Sequence, residues 1–450
     1  MPHSVDEFNM ARSRLLQTVI LLTVASAGCA APTARMRDSV SANLEQRTGY
    51  SVGTSSPSSQ VILPPGLDQG QPLTEEQIVL LALWNNAAFQ ELLVELQLTR
   101  ADLVQAGLLP NPEFVYFFSS PDKPFKYLFD FPLEALWLRP VRIRAAEREN
   151  ARVAERLTQT ALDLIRDTRQ GFAELLLANE RVAVADQSLE LRGNIAKFAE
   201  KRLKAGDASE QESVTAKIDA LQAKQERTRT GFDVTLAEER LKNLTGLAGL
   251  TGALAVVPPP ALAVTETDLE AIVDEAVRTR PDAVSARVAT EAAAERLRIA
   301  KLGWIRVLGI LDATSGRNTG HEFSPALRIT LPIFNRNQGL IARAEADLEL
   351  MSRRQQSVCN QIVLDVRLAH TRFRQATAEL DVLRKTIRPE VDASIRRTQK
   401  AYEDGNVPLL IALEANRQLI DTLAREAVLK ADQRRAWVEL ERSVGRRLTP

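Results

Sequence analysis

Two glycines 199 residues apart constrain this chain more than any other feature. The stretch "LKAGDASEQESVTAK" (203–217) lies over "YEDGNVPLLIALEAN" (402–416), pairing Gly206 with Gly405. Downstream, "LKNLTG" over "LERSVG" pairs Gly246 with Gly445 at the same offset. Upstream, "FPLE" over "LPIF" pairs Pro132 with Pro332, 200 apart, and "IVLLALWNNAAF" over "IVDEAVRTRPDA" pairs Ala82 with Ala276, 194 apart. Such self-similarity means that one supersecondary unit is built twice. It implies tandem halves at 73–247 and 267–446, a linker at 248–266 containing Pro258–Pro260, and a tail at 447–450. The drift from 194 to 200 predicts a slightly longer β-region in the second half.

Each half reads the same way. A helix opens near Thr74, where Thr74-x-x-Gln77 is a capping box, or near Thr267 with Glu270, and runs to about Gly107 or Leu302. Two strands follow. They are Asn111–Phe118 and Pro124–Pro132, joined by "SSPDK", and then Trp304–Thr314 and Phe323–Pro332, joined by a Gly/Asn-rich turn. A very long helix runs from about Leu133 to Lys204, and from about Asn337 to Tyr402. It breaks at the paired glycine and returns to Leu244 or Val444, with Ser209 and Glu212 as another capping box. A ~70-residue helix spans about 105 Å, far beyond a globular core. Ile362, Val366, Ala369, Phe373, Ala376, Leu380, Leu383 and Ile387 keep a seven-residue period, which implies left-handed supercoiling. Pro389 should kink that helix.

Among 450 residues, lysine plus arginine (58) balances aspartate plus glutamate (58), so no charge excess points to nucleic acid. Cys29, Cys359, His3, His321 and His370 are too few and too scattered for a disulfide framework or a zinc site. No Gly-rich phosphate loop precedes a helix. Neither an enzyme nor a cofactor is expected.

The N-terminus carries Arg12 and Arg14, the apolar run Leu15–Ala25 and then "SAGC" at 26–29. This pattern marks residues 1–28 as a secretory signal. Asp6 and Glu7 are foreign to such a signal, which points to Met10 as the start. The cysteine after the cut resembles the lipobox of bacterial lipoproteins, although Ser26 stands where that pattern prefers leucine. The resemblance implies a lipid on Cys29, and Ala30 in place of aspartate implies the outer membrane. Residues 29–72 then form an extended N-terminal segment.

No stretch after the signal holds the ~18 consecutive apolar residues of a spanning helix, so a membrane crossing would need a β-barrel. In "FKYLFDF", Phe125, Tyr127, Phe129 and Phe131 share one face, while Lys126 and Asp130 share the other. "ALRITL" alternates likewise. An aromatic face opposite a charged face suits lipid outside and water inside. Four strands cannot close a barrel, so it must be shared between chains: two chains give eight strands, and three give twelve with room for a lumen. On this reading Pro132, Pro332 and Asn335 mark the junction where wall passes into helix. A small soluble sheet packed on helices is the plainer alternative.

The duplicated pattern, with "FPLEALW" and "LPIFNRNQG" after the hairpins and "KAGD" and "EDGN" at the helical turns, resembles the TolC-type outer-membrane efflux proteins. "LPIFNRNQG", "NLEQRTGY" (43–50) and a lipidated N-terminus are most similar to the cobalt–zinc–cadmium branch. The resemblance implies a mainly α fold with a membrane β-barrel portion. It implies two α-β-β-α-α repeats, and a homotrimer whose twelve strands continue into a periplasmic helical tunnel. It places Ala205, Gly206, Asp207, Asp404, Gly405 and Asn406 at tips that meet a periplasmic adaptor. It implies a proton-driven inner-membrane pump as the energy source. Glu414 matches an acidic position at the closed tunnel end, whereas Ile411 departs from another. The gate would then rest on Glu414 alone, or on Glu403 and Asp404; a solvated charge at a helix end is the alternative for each. A periplasmic coiled-coil adaptor or scaffold lipoprotein remains the rival reading.

Overall fold

The computed structural model describes residues 34–53, 61–64, 71–118, 125–260, 262, 268–316 and 320–448. The signal segment, Cys29, Thr267 and the "SSPDK" turn lie outside the described residues. In chain order come α1 (Arg37–Thr48), α2 (Glu75–Asn85), α3 (Ala87–Gly107), β1 (Glu113–Phe117) and β2 (Phe125–Pro132). Then follow α4 (Glu134–Ala205), α5 (Glu210–Leu244), α6 (Leu269–Thr279), α7 (Pro281–Leu302), β3 (Val307–Gly316) and β4 (Gly320–Ile329). Last are α8 (Gln338–Val382), a π-helical turn (Leu383–Ile387), α9 (Arg388–Glu403) and α10 (Leu409–Val444). The chain divides into two compact units, each assembled from separate stretches of sequence. Within the described residues, one holds 34–36, Glu95–Ala154 and Ser285–Gln355; the other holds Arg37–Val94, Glu155–Val284 and 356–448.

The first unit is organised by one antiparallel sheet in the order β1-β2-β3-β4. Alternation along each strand gives it two unlike faces. One carries Phe114, Tyr116, Phe125, Tyr127, Phe129, Phe131, Leu311, Phe323 and Leu327. The cross-strand pairs Phe114–Phe129 and Tyr116–Tyr127 have ring centroids 4.7 and 5.1 Å apart. Such pairs add roughly 0.5–1.5 kcal/mol each beyond area burial. Phe323 and Leu327 nonetheless remain 68% and 65% exposed. The other face carries Lys126, Asp130, Asp312 and Arg328, joined as Lys126–Asp312 (2.7 Å) and Arg328–Asp130 (3.7 Å). The hairpins differ in length as expected, with strands of 5 and 8 residues against 10 and 10.

In the second unit, two apolar clusters join short helices to long ones. Ile78 and Leu81 of α2 pack with Phe172 and Leu175 of α4 and Leu241 of α5. Ile272 and Val273 of α6 pack with Ile362, Val366 and Phe373 of α8 and Leu440 of α10. Each such fully buried side chain contributes about 1.5–3 kcal/mol. Arg280, only 1% exposed, lies beside the second cluster. It donates to the Ser443 carbonyl (3.0 Å) and forms ion pairs with Asp282 (2.6 Å) and Asp365 (3.4 Å). Buried charge is tolerated only when paired in this way.

Several expected boundaries move, each for a local reason. The opening helices are not continuous. α2 and α3 meet at Asn86 with a bend of 50°, and α6 and α7 meet at Arg280. Asn86 is extended and caps α3 by accepting from Phe89 N–H (2.9 Å), while its amide donates to the Leu244 carbonyl (3.0 Å). Arg280 precedes Pro281, whose ring disfavours helical geometry there. The cap of α6 is Asp268, which accepts from Glu270 N–H. The β4 ladder ends at Ile329 with one more bond, Thr330 N–H to the Arg306 carbonyl (3.1 Å), so pairing stops before Pro332. Beyond it, the Asn335 side chain accepts from Asn337 N–H (2.9 Å). Asn337 stands at φ 60° and its carbonyl accepts from Ile341 N–H, starting α8. Pro389 produces a π turn rather than a simple kink, with Arg388 N–H reaching back to the Leu383 carbonyl. The turn inserts one residue into the period, so the seam holds through Leu383 but Ile387 is 44% exposed.

Glycine is required most strongly at Gly246. Its φ is 72°, and an added Cβ would lie 2.3 Å from the Asn85 carbonyl oxygen, whereas Gly206 at φ 83° faces open space. Gly206→Ala should cost about 1–2 kcal/mol, the left-handed penalty alone. Gly246→Ala should cost more, because backbone must also move. Thermal unfolding of the two variants in detergent checks the order, and equal losses would contradict it.

Candidate functional site

The paired turns of the second unit are the site that the sequence singles out. At the first, Gly206 N–H donates to the Leu203 carbonyl (3.0 Å) and Asp207 N–H to the Arg202 carbonyl (2.9 Å). At the second, Gly405 N–H donates to the Tyr402 carbonyl (3.1 Å) and Asn406 N–H to the Ala401 carbonyl (2.8 Å). Both are Schellman closures on a left-handed glycine, with φ of 83° and 75°. Ala205, Asp207, Asp404 and Asn406 flank those glycines. Ser209 then caps α5 by accepting from Glu212 N–H (3.2 Å), and Pro408 precedes α10.

The two turns are held together by packing that sequence reading did not find. Tyr402, 4% exposed, sits with Ala199, Ala216, Leu409 and Ala412 in one cluster. Phe198 meets its ring edge-on with centroids 5.4 Å apart. The Arg202 guanidinium lies 5.7 Å from the same ring centroid and donates to the Asp207 carbonyl (3.1 Å). Burial pushes the Tyr402 hydroxyl up from its ordinary pKa, against the pull of Arg202. The contact joins Phe198 and Tyr402, far apart in the chain, and no local pattern in the sequence marks it.

The acidic candidates are not equivalent. Glu414 accepts from Arg417 (3.0 Å) and Gln418 (3.2 Å), and the Arg417 hydrogen bonds hold its carboxyl below the usual range. Glu403 and Asp404 are exposed, and Glu403 accepts from the Gln399 amide at 3.5 Å. Leu410 and Ile411 are 73% and 48% exposed on the first turn of α10. A cleft of about 340 Å³ is lined by Phe198, Lys201, Ile395, Tyr402 and Asn416. The cleft, turns and exposed carboxylates can bind or gate, but they assemble no nucleophile–base pair. Among the described residues no group of three or more His, Cys, Asp or Glu side chains is placed to hold a metal. Cys359 and His370 are half-buried and apart on α8, and burial with nearby Arg374 lowers the His370 pKa.

A four-stranded two-faced sheet in one unit and long helices with left-handed glycine turns in the other are features of a fold shared with solved outer-membrane channels. The sequence profile described as "Outer membrane efflux protein" matches residues 272–446. It is 26% identical over 389 residues to the cobalt-zinc-cadmium resistance protein CzcC of Cupriavidus metallidurans, covering 83% of this chain and 90% of that one. Its fold is similar to the outer-membrane channel OprN (TM-score 0.71, 17% identity, 83% of this chain and 90% of that one). It is also similar to the outer membrane protein VceC of Vibrio cholerae (TM-score 0.69, 16% identity, 82% and 96%).

The Tyr402 cluster predicts a local effect. Tyr402→Ala should remove about 3–5 kcal/mol of packing there. Amide exchange should rise around Phe198 and Ala412 while the Phe373–Trp437 region stays protected. A uniform rise across the second unit would contradict a localised role.

Proposed function

We propose that this chain is the outer-membrane conduit of a tripartite efflux system, working as a homotrimer of duplicated α-β-β-α-α repeats. The sheet carries the proposal. Its aromatic face is exposed and its charged face opposes it, and among the described residues β1 and β4 each pair with one strand only. Open edges cannot persist in hydrocarbon, so three copies would contribute four strands each to a twelve-stranded barrel. Lys126, Asp130, Asp312 and Arg328 would line the water, and Pro132, Pro332 and Asn335 would mark the exit from the bilayer.

The turns at Ala205–Asp207 and Asp404–Asn406 are then the periplasmic tips that meet an adaptor, with a proton-driven inner-membrane pump supplying the energy. Glu403, Asp404 and Glu414 would guard the closed end, the last with its charge offset by Arg417. The similarity to CzcC supports heavy-metal cations such as cobalt, zinc and cadmium as cargo, passing through without a tight site. A lipid on Cys29 would add a second anchor in the outer membrane.

Two measurements test this reading. Outer-membrane extracts in mild detergent should give a particle of about three times the chain mass, and a monomer would overturn the shared barrel. Replacing Glu403, Asp404 and Glu414 together by their amides should lower cation-over-anion selectivity in planar bilayers. Unchanged selectivity would remove the gate assignment.

A further inference from the structure

The turn between the last β4 hydrogen bond and α8 reverses the usual division of labour between apolar and polar side chains. Leu331 and Ile333 are exposed, and Phe334 is 93% exposed. The polar side chains instead fold back onto the main chain. The Gln338 side-chain oxygen accepts from Arg336 N–H (2.9 Å), and its amide donates to the Phe334 carbonyl (3.3 Å). Asn335 accepts from Asn337 N–H in the same way, and Ile333 N–H donates to the Leu331 carbonyl (2.9 Å). A loop in water has no need of such closure, because water serves exposed backbone groups. Where water is scarce an unserved group is costly, and a turn that closes on itself is favoured. The first junction presents apolar surface too, with Leu136 and Trp137 exposed at the start of α4 and Trp304 exposed just before β3.

Strand length sets the depth of this turn. β3 and β4 have 10 residues each, about 33 Å along the strand. Tilted by about 40°, they rise about 25 Å, the height of a barrel's apolar band. The hairpin alone fills that band, so residues just beyond Ile329 stand at headgroup level. Arg306 stands there as well, since its carbonyl accepts from Thr330 N–H, and both Arg306 and Arg336 are exposed. Tryptophan and arginine beside bulky apolar groups are the chemistry of that layer, where rings meet the acyl boundary and guanidinium meets phosphate. We infer that the Leu331–Arg336 turn is a membrane-interface anchor. Leu331, Ile333 and Phe334 dip into the inner-facing acyl boundary, and Arg306 and Arg336 hold phospholipid phosphates. The inference rests on the barrel reading above. It fixes the height of the sheet in the bilayer at its helical end.

The test reconstitutes the full chain into phospholipid vesicles and reads tryptophan fluorescence. One vesicle set carries a nitroxide on the lipid headgroup, and the other carries bromine near the acyl-chain ends. Phe334→Trp is made in a Trp137→Phe, Trp304→Phe background and compared with that background alone. The added emission should be quenched at least twice as strongly by the headgroup nitroxide as by the deep bromine. If Phe334→Trp does not fold, the native chain compared with the Trp137→Phe, Trp304→Phe variant reads the same layer. Insertion without preferential headgroup quenching at either place would overturn the anchor and leave the conduit standing, with a second copy of the chain as the cover for these side chains. A chain that does not enter vesicles at all would overturn the barrel reading and the anchor with it. In native mass spectrometry of the extracted particle, Arg306→Gln with Arg336→Gln should at least halve the retained phospholipid. Equal retention would overturn the phosphate contacts.

Discussion

Backbone groups that lack hydrogen-bond partners set the terms for this molecule. An unsatisfied buried N–H or C=O costs about 1–3 kcal/mol, and more in hydrocarbon. Among the described residues, β1 and β4 each leave one side of the ladder open, beside an aromatic face that water would not solvate well. Further copies of the chain are the natural source of partners for those edges. The same rule operates at the other sites. The glycine turns close orphan carbonyls through Schellman bonds, Asn86 caps α3 while serving the end of α5, and Asn335 satisfies the main chain at Asn337.

Sequence and structure agree wherever the signal is local. The capping box at Thr74 and Gln77 is present with both reciprocal bonds, and α5 and α10 end at Leu244 and Val444 as read. The strand faces follow from period-two alternation alone. What escaped depended on distant groups. The break at Asn86 is tied to a carbonyl at Leu244, and the Tyr402 cluster needs Phe198 and Arg202 from far along the chain. Pro389 announced a disturbance, but its form depended on how the helix restored hydrogen bonding around the ring.

Of the candidate site, the turn residues were legible because left-handed geometry and glycine go together. The relative standing of the acidic residues was not. Glu414 is one turn before Arg417, a spacing visible in the sequence, but only the observed bidentate contact distinguishes it from Glu403 and Asp404. The buried Arg280 was also invisible. Its place depends on the absent side chain of Gly445, where a Cβ would stand 2.8 Å from its Cγ.

The π turn at Leu383–Ile387 has an effect at the far end of the helix. Continued without interruption, the seven-residue count from Leu383 would bring Ala401 to the seam. The inserted residue advances the phase by about 100°, and the inward positions become Ile395 and Tyr402 instead. A backbone irregularity four turns away thus selects which side chain clasps the two tips. It works like the offset of a key's teeth: the pattern is displaced by one step, and only then does the aromatic ring meet its socket.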